Sequence, residues 1–216
     1  MIRAIIFDMD GLMIDSERVT FESYQEVLKD MNLTMDRTFY VSLLGRTKEG
    51  IAKQFYDAYG HDFPFDQVIT KCHEVMAKRF EQEGVPLKPG LLHLLSYLKK
   101  EHHYKTIVAT SSTRDRVDKI LKQAHITDYF DDSICGDEVT KGKPNPEVFL
   151  KSCEKLGVKS NEAYVLEDSE SGIMAAYSAN IKVICVPDMK YPEAQYASKC
   201  YKIVETLDDV IDILER

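Results

Sequence analysis

The stretch Phe7-Asp8-Met9-Asp10-Gly11 sets two carboxylates two residues apart, where the apolar run Ala4-Ile5-Ile6-Phe7 meets a glycine. In an extended segment residues i and i+2 share a face, so Asp8 and Asp10 can converge on one ligand just past a strand end. Oxygen donors of this kind suit Mg²⁺ and a phosphate ester. Two other readings fail on spacing. A calcium-binding EF-hand loop carries its glycine at the sixth position, and Gly11 is fourth from Asp8. Gly45-Arg46-Thr47-Lys48-Glu49-Gly50 has the glycines of a phosphate-binding P-loop, but Ile51 stands where the lysine is required.

Further polar groups follow later apolar runs. Thr110 and Ser111 come after Thr106-Ile107-Val108-Ala109, and Glu167 and Asp168 after Ala163-Tyr164-Val165-Leu166. Lys143 lies in Lys141-Gly142-Lys143-Pro144-Asn145-Pro146, and Pro144 restrains it to an extended conformation. In open parallel sheets, ligands bind beyond the carboxyl ends of the strands, which is where these residues fall. Crowding four carboxylates at one rim demands compensation. Mg²⁺ and Lys143 supply most of it, and a proton on Asp10 supplies the rest. The bland readings are helix capping for Thr110, a solvated charge for Lys143, and acids favoured by a helix dipole for Glu167 and Asp168.

The elements that must position these groups alternate. From Pro89 onward, helices over Leu91–Lys100, Asp115–Gln123, Pro146–Leu156, Gly172–Ser178 and Leu207–Leu214 are interleaved with apolar runs at 106–109, 133–135, 163–166 and 183–186. That order predicts an α/β fold: a doubly wound parallel sheet covered on both faces. The strand near residues 3–8 belongs to the same sheet. Residues 16–83 read instead as several helices. Phe65, Val68, Ile69, Cys72, Val75, Met76 and Phe80 step by three or four along one face, as do Phe21, Tyr24, Val27, Leu28 and Met31. The expected organisation is therefore a core of residues 1–14 and 86–216 with a helical cap inserted at 15–85. The cap joins near Leu12–Asp15 and Gly84–Pro89, two links that make a hinge.

Composition narrows the partners. The chain has 216 residues, 44% of them hydrophobic, and a formal net charge of -8, which argues against nucleic acid or an anionic membrane as partner. Cys72, Cys135, Cys153, Cys185 and Cys200 form no C-x-x-C pair and are odd in number, so inert thiols in a reducing compartment are expected. No apolar run reaches the length of a signal core or a membrane span. The expectation is a cytoplasmic monomer or weak dimer. His61, His73, His93, His102, His103 and His125 sit in stretches that read as surface or packing positions rather than zinc ligands.

With these motifs in order, the chain resembles the haloacid dehalogenase superfamily over nearly its whole length. Asp8-Met9-Asp10-Gly11, Thr110, Lys143 before Pro144, and Glu167-Asp168 match its four motifs. The helical insertion matches a family cap. Gly142-Lys143-Pro144-Asn145-Pro146 and Leu166-Glu167-Asp168-Ser169-Glu170-Ser171-Gly172 are most similar to the branch of β-phosphoglucomutase and sugar-phosphate phosphatases. The resemblance implies a Mg²⁺-dependent phosphoryl-transfer enzyme acting on a small phosphorylated metabolite. Asp8 is then the nucleophile that forms an aspartyl-phosphate, and Asp10 the acid and base. Thr110 and the Ser111 amide hold phosphoryl oxygens, and Lys143 neutralises charge. Asp8, Asp10, Glu167 and Asp168 form the metal set, Asp10 through its carbonyl and Glu167 directly or through water.

The second aspartate speaks against a dehalogenase, which has no alkoxide to protonate. Arg46 and Lys48 match a cap loop that grips substrate, with surface charges as the bland alternative. The mutase carries a histidine and an arginine where this chain has Thr20 and Lys48, so hydrolysis of sugar or polyol phosphates is the preferred expectation. A phosphosugar mutase and a noncatalytic phosphometabolite sensor are the alternatives.

Overall fold

The computed structural model describes residues 1–215, which fall into two compact units: Met1–Asp15 with Val85 onward, and Ser16–Gly84. The first is built on six parallel strands in the order β3-β2-β1-β4-β5-β6. These are β1 (Ala4–Phe7), β2 (Lys105–Ala109), β3 (Asp132–Ile134), β4 (Ala163–Glu167), β5 (Lys182–Cys185) and β6 (Lys202–Ile203). β1 is central and wholly buried, as an apolar run with no polar face must be in a sheet covered on both sides.

Six helices belong to this unit: α5 (Leu91–Glu101), α6 (Arg114–Gln123), α7 (Glu147–Leu156), α8 (Glu170–Ser178), α9 (Ala194–Ala197) and α10 (Asp209–Leu214). Ala4, Ile6, Ile107, Ala109, Val165 and Val183 face one way, against Val148, Phe149 and Cys153 of α7 and Ile173, Ala175 and Ala176 of α8. Ile5, Phe7, Val108, Leu166 and Ile184 alternate with them and are equally buried. The sheet is thus the doubly wound one that the sequence pattern predicts. Two elements were not expected: β6, only two residues long, and the one-turn α9.

Register aligns the strand ends. Phe7 pairs with Val108 of β2 and Leu166 of β4, so Asp8, Ala109 and Glu167 stand one step further along at the same rim. The Asp8 amide donates to Leu166 O at 3.0 Å and the Thr110 amide to Ile134 O at 3.1 Å. The order reverses at β1, with β2 and β3 on one side and β4 to β6 on the other, which is where doubly wound sheets form their crevice.

The second unit is four helices, α1 (Ser16–Lys29), α2 (Arg37–Leu43), α3 (Lys48–Tyr59) and α4 (Phe65–Glu83). Asp36 caps α2 by accepting from the Phe39 amide at 2.7 Å, and Thr47 caps α3 by accepting from Gly50 at 3.2 Å. Phe55, fully buried, is the hub, with ring centroids of Tyr24, Phe39, Phe63 and Phe65 within 5.1–5.6 Å. The α4 stripe buries Phe65, Val68, Cys72 and Phe80 and the α1 stripe buries Tyr24, Val27 and Leu28, while Ile69, Val75, Met76, Phe21 and Met31 are half-buried. Among the described residues, no helix is long and apolar enough to cross a membrane.

Candidate active site

Lys143 organises the rim. Its ammonium, with only 5% of the side chain exposed, donates to Asp8 Oδ1, to Glu167 Oε1 at 2.7 Å and to Ala109 O at 3.2 Å. It also lies 4.9 Å from the Phe149 ring centroid, where the negative face of the ring attracts a cation. The loop that delivers it is pinned from behind. Glu147, in the first turn of α7, accepts from the Thr140 and Lys141 amides at 2.8 and 2.9 Å. The Lys143–Pro144 peptide is cis.

Glu167 is completely buried, and both of its oxygens are engaged. Oε1 takes Lys143, while Oε2 accepts from the Asp168 amide, the Ser169 amide and the Ser169 hydroxyl at 2.8–2.9 Å. The Ser169 hydroxyl in turn accepts from the Gly172 amide at 3.1 Å, capping α8. This cap starts the helix at Glu170, two residues ahead of the expected Gly172. Gly172 itself is required. A Cβ there would stand 1.7 Å from Glu167 Oε1.

Asp168 reaches the other side of the rim. Its carboxylate lies over Gly11, where a Cβ would come within 2.3 Å of Oδ2 and where φ is +83°. Glycine is needed on both counts. Asp168 and the Asp8-to-Gly11 turn are therefore in contact, although they are far apart in sequence.

Asp10 is held by residues that sequence reasoning passed over. Arg116 Nη2 donates to Asp10 Oδ1 at 2.7 Å and Arg116 Nη1 to Oδ2 at 3.3 Å, while the Ser112 hydroxyl donates to Oδ2 at 2.8 Å. A charged residue in the first turns of a helix reads as solvated surface. The available signals were a third polar residue after β2 and the i,i+4 spacing of Ser112, two residues ahead of α6, and Arg116 in its first turn. Thr110 is buried and its hydroxyl accepts from the Ser112 amide at 3.1 Å. Ser111 is exposed.

Arg46 and Lys48 lie in the helical unit and both are exposed. Arg46 Nε donates to Ser42 O at 2.6 Å, and Lys48 pairs with Asp66 at 2.7 Å. Of the histidines, His93 pairs with Asp208 at 2.7 Å and His103 Nδ1 lies 2.9 Å from Glu101 O.

Electrostatics follow from this layout. Burial pushes Asp8 up to about 7, against the lowering pull of Lys143 and with the help of the Glu167 charge. Burial alone would lower Lys143, but Asp8 and Glu167 outweigh it and hold the ammonium above the ordinary lysine value. Arg116 changes the charge balance expected from the motifs. Four carboxylates now face two cations, Lys143 and Arg116. The two formal negative charges left over match one divalent ion.

The donors near Asp8 and Asp168 are all oxygens, as Mg²⁺ prefers. Among the described residues no three Asp, Glu, His or Cys side chains converge as ligands. Mg²⁺ is commonly held by one or two carboxylates with waters and substrate phosphate, and Asp168 lies over Gly11 of the turn that begins at Asp8. The Asp10 and Glu167 side chains are occupied by Arg116 and Lys143 instead.

A central strand ending in a buried aspartate, a lysine bridging it to the fourth-strand acid, and a rim at the reversal of strand order define a class, and comparison with known proteins names it. The chain belongs to the haloacid dehalogenase-like hydrolases, whose family model matches residues 5–186. It is 31% identical over 181 residues to a phosphorylated carbohydrates phosphatase of Thermotoga maritima, covering 84% of this chain and 83% of that one. It is 30% identical over 195 residues to hexitol phosphatase B of Escherichia coli, covering 90% and 86%. The crystal structure of a putative β-phosphoglucomutase from Thermotoga maritima superposes with a TM-score of 0.82 at 27% identity, covering 99% of each chain. The protein is an enzyme of the phosphoric monoester hydrolase type.

Proposed function

We propose that this enzyme hydrolyses small phosphorylated metabolites, sugar or polyol phosphates in particular, through an aspartyl-phosphate on Asp8. The observation that carries the reading is the buried Asp8 carboxylate at the end of β1, paired with Lys143 and one strand away from the Thr110 hydroxyl. A carboxylate attacking an anionic phosphoryl group needs positive charge at the moment of approach. Lys143 supplies part of it and keeps Glu167 compensated at the same time.

Thr110 and the Ser111 amide hold phosphoryl oxygens. Asp10 protonates the departing ester oxygen and afterwards takes a proton from the water that attacks the aspartyl-phosphate. Asp8, Asp168 and the Asp10 carbonyl would hold Mg²⁺, with Glu167 behind them. The ion would supply charge neutralisation for the transferring group. In the helical cap, Arg46 and Lys48 are assigned to gripping the rest of the substrate.

The named activities of the Thermotoga and Escherichia relatives support phosphorylated carbohydrates as the substrate class. The similarity to the putative mutase makes β-phosphoglucomutase the second reading. Thr20 weighs against it, since its hydroxyl is spent on Ser16 O at 2.8 Å within α1. A panel of hexose, pentose and polyol phosphates assayed with Mg²⁺, scored for both free phosphate and isomerised sugar phosphate, separates the two. Phosphate as the main product, abolished by Asp8→Asn, is the expected result. Glucose 6-phosphate from β-glucose 1-phosphate with a bisphosphate primer, and little free phosphate, would establish the mutase. Binding without turnover would leave the sensor.

A further inference from the structure

We infer that Arg116 is the positioning residue for Asp10, fixing the acid–base carboxylate in register with the pocket that receives the phosphoryl group. The inference rests on the phosphatase reading above and adds to it a residue outside the four motifs.

Three contacts form a closed bracket. Arg116 spans both oxygens of Asp10, Ser112 donates its hydroxyl to Oδ2, and Arg116 Nη1 also donates to the Ser112 hydroxyl at 3.1 Å. A planar guanidinium set across a carboxylate fixes direction as well as distance. Asp10 follows the strand rather than lying in it, and is next to a glycine at φ +83°, so β1 alone does not hold its side chain in one rotamer. The bracket does.

Ser112 connects the bracket to the pocket. The residue whose hydroxyl holds Asp10 also donates its amide to the Thr110 hydroxyl at 3.1 Å. Thr110 is anchored in turn by its own amide on Ile134 O at 3.1 Å. A group that holds the phosphoryl oxygens and a group that serves the leaving oxygen are thus referred to one residue at the start of α6. Arg116, one helical turn further on, braces the arrangement. Misplacing a catalytic group by about 1 Å can cost about 10²-fold in rate, so loss of the brace should register in the step that uses Asp10.

That step can be isolated by the leaving group. An alkyl ester needs a proton on its departing oxygen, whereas p-nitrophenolate leaves without one. The value of kcat/KM reports events up to phosphoryl transfer to Asp8, before the water step common to both substrates. Arg116→Gln is compared with the wild-type enzyme on p-nitrophenyl phosphate and on the best alkyl ester of the panel, with Mg²⁺ in both assays. The expected result is a loss on the alkyl ester at least tenfold larger than the loss on the aryl ester, and no larger than the 10²- to 10⁴-fold that general acid catalysis as a whole supplies.

Equal losses on both esters would place Arg116 on the phosphoryl group or in the scaffold and overturn the inference. So would no loss, or a gain on the alkyl ester. If the glutamine variant does not fold, Arg116→Lys keeps the charge, loses the fork and carries the same comparison by the same criterion. A wild-type enzyme that hydrolyses neither ester would bring down the phosphatase reading itself, and the role of Arg116 with it.

Discussion

Replacing Gly172 by alanine sets two opposed effects against each other, and the structure says which prevails. Alanine is the better helix former by about 1 kcal/mol, and Gly172 lies inside α8, so propensity alone predicts a gain. The new Cβ, however, would meet Glu167 Oε1 at 1.7 Å and Cδ at 1.9 Å. Ordinary contacts lie at about 3.5–4.0 Å, so about 2 Å of separation must open.

Glu167 cannot swing aside cheaply. Its Oε1 holds Lys143 and its Oε2 holds three donors, and a buried ion pair that is broken costs about 3–5 kcal/mol. Moving α8 instead is overpacking, at about 1–3 kcal/mol. After the helix gain is subtracted, the net loss is about 2–4 kcal/mol if the ion pair breaks and about 0–2 kcal/mol if α8 moves. At about 2–4 °C per kcal/mol for a chain of this size, Tm falls by up to about 8 °C if α8 moves and up to about 15 °C if the ion pair breaks. Thermal unfolding followed by circular dichroism measures this directly. A Gly172→Ala protein as stable as wild type, or more so, would refute the claim that Glu167 is locked in place.

Two further predictions concern other groups. Glu147 is held well below the usual carboxyl range, at about 2, by its bonds from the Thr140 amide, Lys151 and the Lys141 amide. A depressed carboxyl contributes stability above its ordinary value and loses it as pH falls towards the folded value. The gap in urea midpoint between wild type and Glu147→Gln should therefore be widest above about pH 5 and narrow between about pH 4.5 and 2. A gap constant with pH would disprove the assignment. For the thiols, burial pushes Cys72 and Cys135 up to about 12 and Cys153 to about 11, whereas Cys200 is partly exposed. Ellman's reagent near pH 8 should label Cys200 first, as Cys200→Ser would reveal by removing the fast phase, with Cys72, Cys135 and Cys153 reacting only on unfolding.

Much of the architecture was legible because its signals are local. Four-residue apolar runs such as Ala4–Phe7 and Val183–Val186 can be buried on both faces only in a covered sheet, and the three-and-four stepping of Phe65 to Phe80 admits only a helix. β6 was invisible because Lys202–Ile203 has no run of its own and is a strand only by pairing with Ile184 and Cys185. Within the rim, Lys143 could be placed because proline restricts its neighbour. Arg116 could not, since its partner lies 106 residues away and its spacing from Ser112 is the one local feature that sets it apart from Arg114. The charge balance suffered accordingly. The balance drawn from the motifs sets one protein cation, Lys143, against four carboxylates, and Arg116 adds a second.

The chain leaves and re-enters the sheet unit through segments that hold each other. Asp15 donates its amide to Pro86 O and Lys88 its amide to Met13 O, each at 2.9 Å, and Ile14 bridges antiparallel to Leu87. The gap that an intervening segment must span is thus set by the sheet unit itself, whatever the segment's length or composition. Such a doorway lets natural variation, or an engineer, exchange the intervening helices for others without unthreading β1. The ends of β1 and its neighbours then keep their register whatever helices are inserted.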